Sequence, residues 1–332
     1  MRNSTCFLTF LLLLLLLASC TASPQAQQRP TPTPRPPVVN ELVSTTGCRL
    51  SPVSSPGKTA TLTIPVNPAT ANGNTTRSYS LYLPTSYDPA QPLPVLLIFH
   101  GADNFAADIE LDTGFSHLAE AYHFIAVYPQ GLPHGISGSP FWAIAGPNDP
   151  FAQGVDDLLF ISNVLNDLQR TLCVDAHRIY ATGFSNGGGM ADYLACALAR
   201  RIAAVAPISA TLAPHPGGCH PGRPVPLLSF HGTADPELPY QGGPPSAIIP
   251  WPVAAVPTWL QDWATRNGCT RGPTVILRQP NVTGEQWTGC QGKATVIHYR
   301  IEHGNHALPP SIGGVSAMEV IWHFFQEYRL PS

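Results

Sequence analysis

Charged residues are scarce in this sequence. Asp, Glu, Lys and Arg together account for 11% of the 332 residues, the formal net charge is −3, and no segment concentrates lysine or arginine. Binding to a nucleic-acid backbone depends on clustered positive charge, so this composition excludes a nucleic-acid partner. We expect the partner to be a neutral or weakly polar small molecule.

The cysteines lack the spacing of a metal site. No C-x-x-C pair occurs in the sequence, so we expect no metal, and we expect no organic cofactor. Apart from Cys6 and Cys20, the cysteines form an even set, which predicts disulfides in an exported chain, although the sequence alone leaves the pairing open. Pairing Cys196 with Cys219 and Cys269 with Cys290 is favoured because each pair closes a short loop. The expected pairs are Cys48 with Cys173, Cys196 with Cys219, and Cys269 with Cys290.

No apolar run is long enough to cross a membrane. The stretch from Phe7 to Ala18 falls far short of the ~20 residues that a spanning helix requires. It follows Arg2 and leads into Leu17-Ala18-Ser19-Cys20, which resembles the lipobox of bacterial lipoproteins. We therefore expect residues 1–19 to be a lipoprotein signal peptide and Cys20 to be the lipidated anchor. An ordinary cleaved secretory signal is the alternative.

Residues 20–39 are rich in proline and have little to bury. The run Pro30-Thr31-Pro32-Thr33-Pro34 favours extended polyproline conformations, so we expect this segment to be a tether. Residues 40–332 show no internal repeat, and the chain is 44% hydrophobic, which is ample for one buried core. We predict one folded domain there, outside the cytoplasm, either held at a membrane by lipid or secreted.

Strand and helix segments alternate along this domain. Such alternation predicts an α/β fold, in which a mainly parallel sheet has helices on both faces. Continuous apolar runs such as 94–99 are typical of strands buried on both faces, whereas 78–83 is expected at the sheet edge. The predicted strands are 78–83, 94–99, 124–128, 178–182, 203–208, 226–230 and 295–301, and the predicted helices begin near 155, 186 and 314.

One short motif carries most of the functional information. Gly183-Phe184-Ser185-Asn186-Gly187 lies between a predicted strand and a predicted helix. A serine on such a turn, with glycines on both sides, is typical of the nucleophile elbow of serine hydrolases. Because G-x-S-x-G also occurs by chance, an acid, a histidine and an oxyanion-binding turn must accompany it. Ser185 is the predicted nucleophile.

A nucleophilic serine needs a base, and the base needs an acid that orients it. Asp235 follows the strand at 226–230 and is the expected acid, with Glu237 as the fallback. His306 follows the strand at 295–301 and is the preferred base. His303, three residues earlier, is the alternative base.

Two backbone N–H groups must stabilise the oxyanion of a tetrahedral intermediate. One is expected to be that of Asn186, the residue after the nucleophile. The other is expected to be that of Ala102, in the turn after the strand at 94–99. His100 and Gly101 form this turn beside the substrate, and His100 is expected to orient it.

Other conspicuous titratable residues are expected to have structural roles. His298 lies inside a predicted strand and His323 inside the last helix, so both are predicted to be core residues. Asp156 and Asp157 are expected to cap a helix and complement its dipole.

Together these motifs resemble the α/β-hydrolase esterases grouped as feruloyl esterases and polyhydroxybutyrate depolymerases, related to carbohydrate esterase family 1. The resemblance rests on His100-Gly101, Tyr128-Pro129-Gln130-Gly131, Val155-Asp156-Asp157, Gly183-Phe184-Ser185-Asn186-Gly187-Gly188, His231-Gly232-Thr233-Ala234-Asp235 and Gly304-Asn305-His306. It implies that residues 40–332 form an α/β-hydrolase domain acting through an acyl-enzyme. The implied substrates are feruloyl or acetyl esters of plant polysaccharide fragments, or short polyhydroxyalkanoate oligomers.

The sequence departs from that family beside the base. Family members commonly have G-G-G-H-T-W-P there, whereas this chain has Ala307-Leu308-Pro309 after His306 and lacks the tryptophan. Trp142 and Trp251 are the candidates to supply aromatic surface to the substrate instead. Two alternatives remain open. One is a dipeptidyl-peptidase-like hydrolase, although no amine-binding carboxylate pair is identified, and the other is a surface binding protein that has lost catalysis.

Overall fold

The computed structural model describes residues 38–66, 75–133, 138–146, 149, 152, 154–214, 218–246, 249–309 and 311–331. All of them belong to one unit of the chain, Pro36–Ser332. The predicted signal peptide, Cys20 and the tether up to residue 37 lie outside the described residues. Within the described ranges, no helix combines the length and the apolar character needed to cross a membrane.

A ten-stranded sheet forms the centre of the fold. The strands of the described chain are β1 (Thr59–Pro65), β2 (Thr76–Tyr82), β3 (Leu93–Phe99), β4 (Ile125–Pro129), β5 (Leu132–Pro133), β6 (Pro140–Phe141), β7 (Val174–Phe184), β8 (Ala204–Ile208), β9 (Leu227–Gly232), β10 (Arg271–Gln279), β11 (Val282–Thr288) and β12 (Val296–Ile301). The sheet order is β1-β2-β4-β3-β7-β8-β9-β12-β11-β10, and β5 and β6 form a separate hairpin. The strands from β4 to β12 in this order run parallel, with antiparallel pairs at both ends. The predicted mainly parallel sheet is therefore confirmed.

Helices cover both faces of this sheet. In the described part of the chain they are α1 (Ala106–Thr113), α2 (Phe115–Tyr122), α3 (Asp157–Thr171), α4 (Asn186–Ala197), α5 (Val256–Arg266) and α6 (Ala317–Gln326), and a 3₁₀ turn lies at Gln291–Lys293. Leu97 of β3 packs in a hydrophobic cluster with α3, α4 and α5. Its neighbour Ile98 packs in a second cluster with α1, α2 and α6, because successive side chains of a strand point to opposite faces. The predicted α/β architecture is confirmed.

The sheet extends further than the sequence predicts. The strand predicted at the edge, 78–83, corresponds to β2, which ends at Tyr82, and is followed outwards by β1, which pairs with it from Thr59↔Tyr82 to Pro65↔Thr76. At the opposite end, β10 and β11 add an unpredicted hairpin. Strands β1 and β10 are largely exposed, so neither contains the long apolar run that identifies a buried strand.

Three disulfides join distant parts of this domain. All of the expected pairs form: Cys48–Cys173, Cys196–Cys219 and Cys269–Cys290. The first connects the N-terminal segment to the residue before β7, the strand that leads to Ser185. Disulfides of this kind are typical of an oxidising environment outside the cytoplasm.

The disulfides are expected to differ in their contribution to stability. Cys48–Cys173 spans 125 residues and Cys269–Cys290 spans 21, so the first restricts the unfolded chain more. Replacing both cysteines of the first pair with serine should lower the free energy of unfolding by about 1.5 kcal/mol more than the same change at Cys269 and Cys290. Urea denaturation of the two double variants measures this difference. Equal losses, or a larger loss at Cys269 and Cys290, would contradict the prediction.

A buried carboxylate joins α4 to α5. Asp192 of α4 is fully buried, and its Oδ2 accepts a hydrogen bond from Trp259 Nε1 at 2.8 Å. Burial raises the pKa of Asp192 to about 7, although the hydrogen bond from Trp259 opposes this rise. The helix that begins just after Ser185 therefore carries a carboxyl group that keeps its proton in mildly acidic solution.

This carboxyl group predicts a pH-dependent stability. Between about pH 4 and pH 7 the folded chain holds a proton at Asp192 that the unfolded chain has released, so the free energy of unfolding falls as pH rises. The fall attributable to this group is up to about 4 kcal/mol. Asp192→Asn removes the charge, and its amide oxygen can still accept the hydrogen bond from Trp259. The parent chain loses the contribution of Asp192 as pH rises from 5 to 8 and the variant does not, so the free energy of unfolding of the variant relative to the parent should be higher at pH 8 than at pH 5. Denaturation curves at both pH values test this, and a pH-independent difference would rule it out.

Candidate active site

Ser185 occupies a strained turn between β7 and α4. Its backbone has φ 56° and ψ −122°, a conformation that non-glycine residues rarely adopt, and its N–H donates to Ile208 O at 2.9 Å. A Cβ atom at Gly187 would lie 2.3 Å from Phe99 O, so only glycine lets the start of α4 approach the end of β3. The motif thus places the serine at the carboxyl ends of the central parallel strands, where ligands bind in open α/β sheets.

Asp235 and His306 meet beside this turn. Asp235 follows β9 and His306 follows β12, and these strands are parallel neighbours whose ends pair at Gly232 and Ile301. His306 Nδ1 lies 2.7 Å from Asp235 Oδ2. Because a carboxylate accepts rather than donates, Nδ1 carries the proton in this pair, which leaves Nε2 as the basic nitrogen.

The Asp235 carboxylate is fixed on both of its oxygens. Its Oδ1 accepts the N–H groups of Glu237 and Leu238, each at 2.9 Å. Burial on its own raises the pKa of Asp235, but hydrogen bonds from His306 and Leu238 outweigh this, and the net pKa lies below the ordinary value. Asp235 is therefore ionised at neutral pH and able to stabilise a charged imidazole.

His306 Nε2 is buried and has no hydrogen-bond partner among the described residues. The imidazole packs against Phe184, the residue before the serine, with ring centroids 4.8 Å apart. Glu237 Oε2 lies 3.7 Å from Nε2, so the fallback acid is on the opposite side of the ring from Asp235. Nε2 is thus available to accept a proton.

The alternative base has a different environment. His303 is exposed in the turn after β12, with φ 57°, and its backbone N–H donates to Thr233 Oγ1 at 2.8 Å. The structure brings His306 and not His303 into contact with Asp235. The geometry therefore favours His306 over His303 as the candidate base, a choice that the sequence left open.

His298 and His323, both predicted to be core residues, differ in burial. His298 is fully buried between Ser229 Oγ (2.8 Å) and Tyr240 Oη (3.1 Å), and burial lowers its pKa to about 3, as suits the predicted core residue. His323 is exposed and contacts the ring edge of Tyr122, so its prediction as a core residue is wrong. The apolar face of α6 is formed by its neighbours instead.

The predicted oxyanion turn lies against Ser185. A Cβ atom at Gly101 would be 3.6 Å from Ser185 Cβ, so the backbone of this turn approaches the serine closely. Ala102 follows on the exposed side, while Asn186 is the first residue of α4. The first N–H groups of a helix have no intrahelical acceptors and carry a partial positive charge. Neither the Ala102 N–H nor the Asn186 N–H donates to another described residue.

His100 supports this turn from the interior. It is fully buried, its Nδ1 donates to Gly101 O at 2.7 Å, and its Nε2 accepts the Gly131 N–H at 2.9 Å. Burial lowers the pKa of His100 to about 4, so the ring is neutral and holds one tautomer. It orients the turn as expected, but its assignment to substrate contact is wrong, because no part of its side chain reaches the surface.

Trp142 is also a supporting residue and not a wall of the substrate site. It is fully buried, and its Nε1 donates to His100 O at 3.0 Å. The side-chain amide of Asn186 binds both backbone groups of Trp142: its Oδ1 accepts the Trp142 N–H at 2.7 Å, and its Nδ2 donates to Trp142 O at 3.0 Å. The prediction of exposed aromatic surface at Trp142 is therefore wrong, since its ring fills the space behind the oxyanion turn.

A buried ion pair, absent from the sequence prediction, extends this support. Arg77 Nη1 lies 2.6 Å from Asp157 Oδ1, and both side chains are buried. Asp157 Oδ2 accepts the Ala143 N–H at 2.7 Å, so Asp157 is an anchor for the segment after Trp142. Asp156 alone caps α3, accepting the Leu159 N–H at 2.9 Å. The expected cap is therefore Asp156, whereas Asp157 lies in the first turn of α3, where its charge complements the helix dipole as expected.

A second histidine supports the acid. His231 is buried at the end of β9, and its Nε2 donates to Leu238 O at 2.8 Å while lying 3.4 Å from Asp235 Oδ2. Burial lowers the pKa of His231, which keeps the ring neutral. The H-G-T-x-D motif thus contains both Asp235 and a histidine that fixes the turn after it.

Trp251 is not joined to these residues by any described contact. It is half-buried and packs against the hydrophobic cluster of α3, α4 and α5. Its contact with substrate stays a prediction. No group of three or more His, Cys, Asp or Glu side chains that could hold a metal ion occurs in the part of the chain that the structure describes.

Comparisons with known proteins agree on one group of enzymes. The sequence profile of the family described as Esterase PHB depolymerase matches residues 77–214. Feruloyl esterase C of Emericella nidulans is 31% identical over 280 residues, covering 81% of this chain and 89% of that protein. Feruloyl esterase B of Piromyces equi is 30% identical over 260 residues, covering 77% of this chain but only 46% of that protein.

A solved structure supports the same fold. The acetyl xylan esterase from Aspergillus awamori superposes with a TM-score of 0.59 over 80% of this chain and 99% of that chain. The two sequences are 15% identical, so this likeness concerns the fold alone. The α/β-hydrolase fold predicted from the sequence is thereby confirmed.

Proposed function

The chain belongs to the esterase family that includes the feruloyl esterases and the polyhydroxybutyrate depolymerases, and from this premise we propose that it hydrolyses carboxylic esters through an acyl-enzyme on Ser185. The observation that carries the proposal is the 2.7 Å contact of His306 Nδ1 with Asp235, with Nε2 left unpaired among the described residues and the ring packed beside the serine turn. The catalytic roles are Ser185 as nucleophile, His306 as base and Asp235 as acid.

In the acylation step, Ser185 Oγ attacks the ester carbonyl carbon and transfers its proton to His306 Nε2. Asp235 stabilises the resulting imidazolium through Nδ1. The carbonyl oxygen becomes an oxyanion that accepts hydrogen bonds from the Ala102 and Asn186 N–H groups. The tetrahedral intermediate then collapses, the carbon–oxygen bond to the alcohol breaks, and Nε2–H protonates the departing alkoxide.

In the deacylation step, a water molecule takes the position that the alcohol has left. His306 Nε2 removes one proton from this water, and the hydroxide attacks the acyl carbon. The same two N–H groups stabilise the oxyanion of this second tetrahedral intermediate, which then collapses and releases the carboxylic acid. The proton on Nε2 returns to Ser185 Oγ, so the cycle needs no cofactor.

The proposed substrates are feruloyl or acetyl esters of plant polysaccharide, or short-chain hydroxyacyl esters. The support is the naming of its relatives as feruloyl esterases and of the matched profile as an esterase of polyhydroxybutyrate. We further propose that residues 1–19 direct export, that Cys20 is lipidated, and that residues 20–39 tether the catalytic domain 40–332 to a membrane. The three disulfides are compatible with that location.

A panel of esters tests the proposal. The full chain and its Ser185→Ala variant are assayed with p-nitrophenyl acetate, p-nitrophenyl butyrate, methyl ferulate and a 3-hydroxybutyrate oligomer. We expect turnover by the parent chain of at least one ester and its loss in the variant. The preferred ester then distinguishes a plant-polymer role from a polyester role. Absence of turnover across the panel would instead favour a binding protein with this fold.

A further inference from the structure

One charged side chain in the site takes no part in the proposed reaction. Glu237 lies two residues after the acid, and its Oε2 is 3.7 Å from His306 Nε2. Its side chain is 59% exposed, whereas that of His306 is 6% exposed. Glu237 therefore lies at the solvent-exposed edge of the site, beside the imidazole nitrogen that Asp235 does not contact.

The backbone of Glu237 is firmly held. Its own N–H and that of Leu238 donate to Asp235 Oδ1 at 2.9 Å, and Leu238 O accepts from His231 Nε2 at 2.8 Å. The turn that binds Asp235 thus fixes the point from which the Glu237 side chain extends. At 3.7 Å the carboxylate is too far from Nε2 for a hydrogen bond, so it does not block proton transfer.

The charge of Glu237 lacks a permanent counterion. Among the described residues no lysine or arginine forms an ion pair with it, and its contact with His306 Nε2 at 3.7 Å is an ion pair only when the imidazole is protonated. Because Nε2 donates its proton to the departing alcohol, a group this close to Nε2 is also close to the alcohol part of the ester. A negative field therefore acts where that part of the substrate binds.

We propose that Glu237 is a specificity-determining residue that disfavours esters with an anionic alcohol part and favours neutral or cationic ones. This inference rests on the proposed esterase function. Two like charges about 6 Å apart near a protein surface repel strongly enough to change kcat/KM about tenfold. In a polysaccharide, such a preference selects esters of neutral sugars over esters of sugar acids.

The test uses three phenyl acetates that differ in charge: 4-acetoxybenzoate, 4-acetoxybenzamide and 3-acetoxy-N,N,N-trimethylanilinium. The full chain, Glu237→Gln and Glu237→Lys are compared, so that the intrinsic reactivity of each ester cancels between proteins. In Glu237→Gln the anionic-to-neutral ratio of kcat/KM should rise about tenfold and the cationic-to-neutral ratio should fall by a similar factor. Glu237→Lys should move both ratios further in the same directions.

A matched control is available in Glu327→Gln, which removes the same charge from an exposed position after α6. Glu327 is distant from Ser185. The N–H of Leu330, a little further along the chain, donates to His177 O at 2.9 Å, and His177 lies near the start of β7, about 26 Å along that strand from Ser185. This variant should leave all three rates unchanged. High salt should reduce the preference of the parent chain, because exposed charges are screened.

The outcomes separate the two proposals. If neutral ester is hydrolysed by the parent chain but Glu237→Gln changes all three rates by the same factor, or changes none, charge selection by Glu237 is refuted and the esterase function stands. If no ester is hydrolysed, the esterase function fails and the specificity proposal fails with it.

Discussion

Replacing His306 with alanine is expected to lower kcat/KM for ester hydrolysis by about 10⁴-fold or more. Without the imidazole, no group accepts the Ser185 proton or returns one to the departing alcohol. Asp235 cannot take over this role, because its Oδ1 is occupied by two backbone N–H groups and its Oδ2 faces the position of the ring. Steady-state kinetics with p-nitrophenyl acetate measure the loss.

The matched control changes the neighbouring histidine. His303 is exposed and adopts φ 57°, so asparagine is the suitable replacement, since it tolerates that backbone conformation. Its backbone N–H still donates to Thr233, and activity should stay close to that of the parent chain. A large loss in His303→Asn together with activity in His306→Ala would assign the base to His303.

Replacing Asp235 with asparagine is expected to lower kcat by about 10⁴-fold while the fold persists. The amide oxygen will take the position of Oδ1, because only an oxygen can accept the Glu237 and Leu238 N–H groups. The amide NH₂ then faces His306 Nδ1 and donates to it. This forces the imidazole proton onto Nε2, and a protonated Nε2 cannot accept a proton from Ser185.

Two measurements separate this tautomer effect from unfolding. Thermal denaturation should show Asp235→Asn folded at the assay temperature, and kcat should fall in that folded protein. Asp262→Asn, at an exposed position of α5, makes the same chemical change away from the site and should leave kcat unchanged. Wild-type kcat in Asp235→Asn would show that the contact with His306 is not needed for the reaction.

The core of the fold is predictable from the sequence, and the main site residues can be proposed from it, because the sequence signals for both are local. The elbow needs a buried strand, a serine and glycines within a few residues, and all of these are visible around Ser185. Asp235 and His306 follow apolar strands, and parallel strands bring such positions to one edge of the sheet. The disulfides agree with the short-loop argument for two of the three pairs.

The support of the site was not predictable, because it depends on residues that meet only in the folded chain. Trp142 looks like a surface aromatic in sequence, yet its burial follows from contacts with His100 and Asn186, 42 and 44 residues away. The Arg77–Asp157 pair likewise joins β2 to α3. The polar side chain of Asn186, directly after Ser185, is the local feature of the elbow that binds the distant segment at Trp142.

The outer strands escaped prediction for a different reason. Sequence patterns identify strands through what they bury, and β1 and β10 bury little because each lies at an edge of the sheet. His323 shows the reverse error. Its position in an apolar helix suggested burial, but α6 is amphipathic and this residue lies on its exposed face.

Covalent labelling tests the central claim most directly. The full chain is treated with a fluorophosphonate probe, digested, and examined by mass spectrometry, beside the Ser185→Ala variant and a heat-denatured sample. The account predicts one phosphonylated peptide, with the modification on Ser185, present in the native chain and absent from both controls. Ester hydrolysis by a chain that carries the probe on another residue, or that is not labelled at all, would contradict the assignment of Ser185 as the nucleophile.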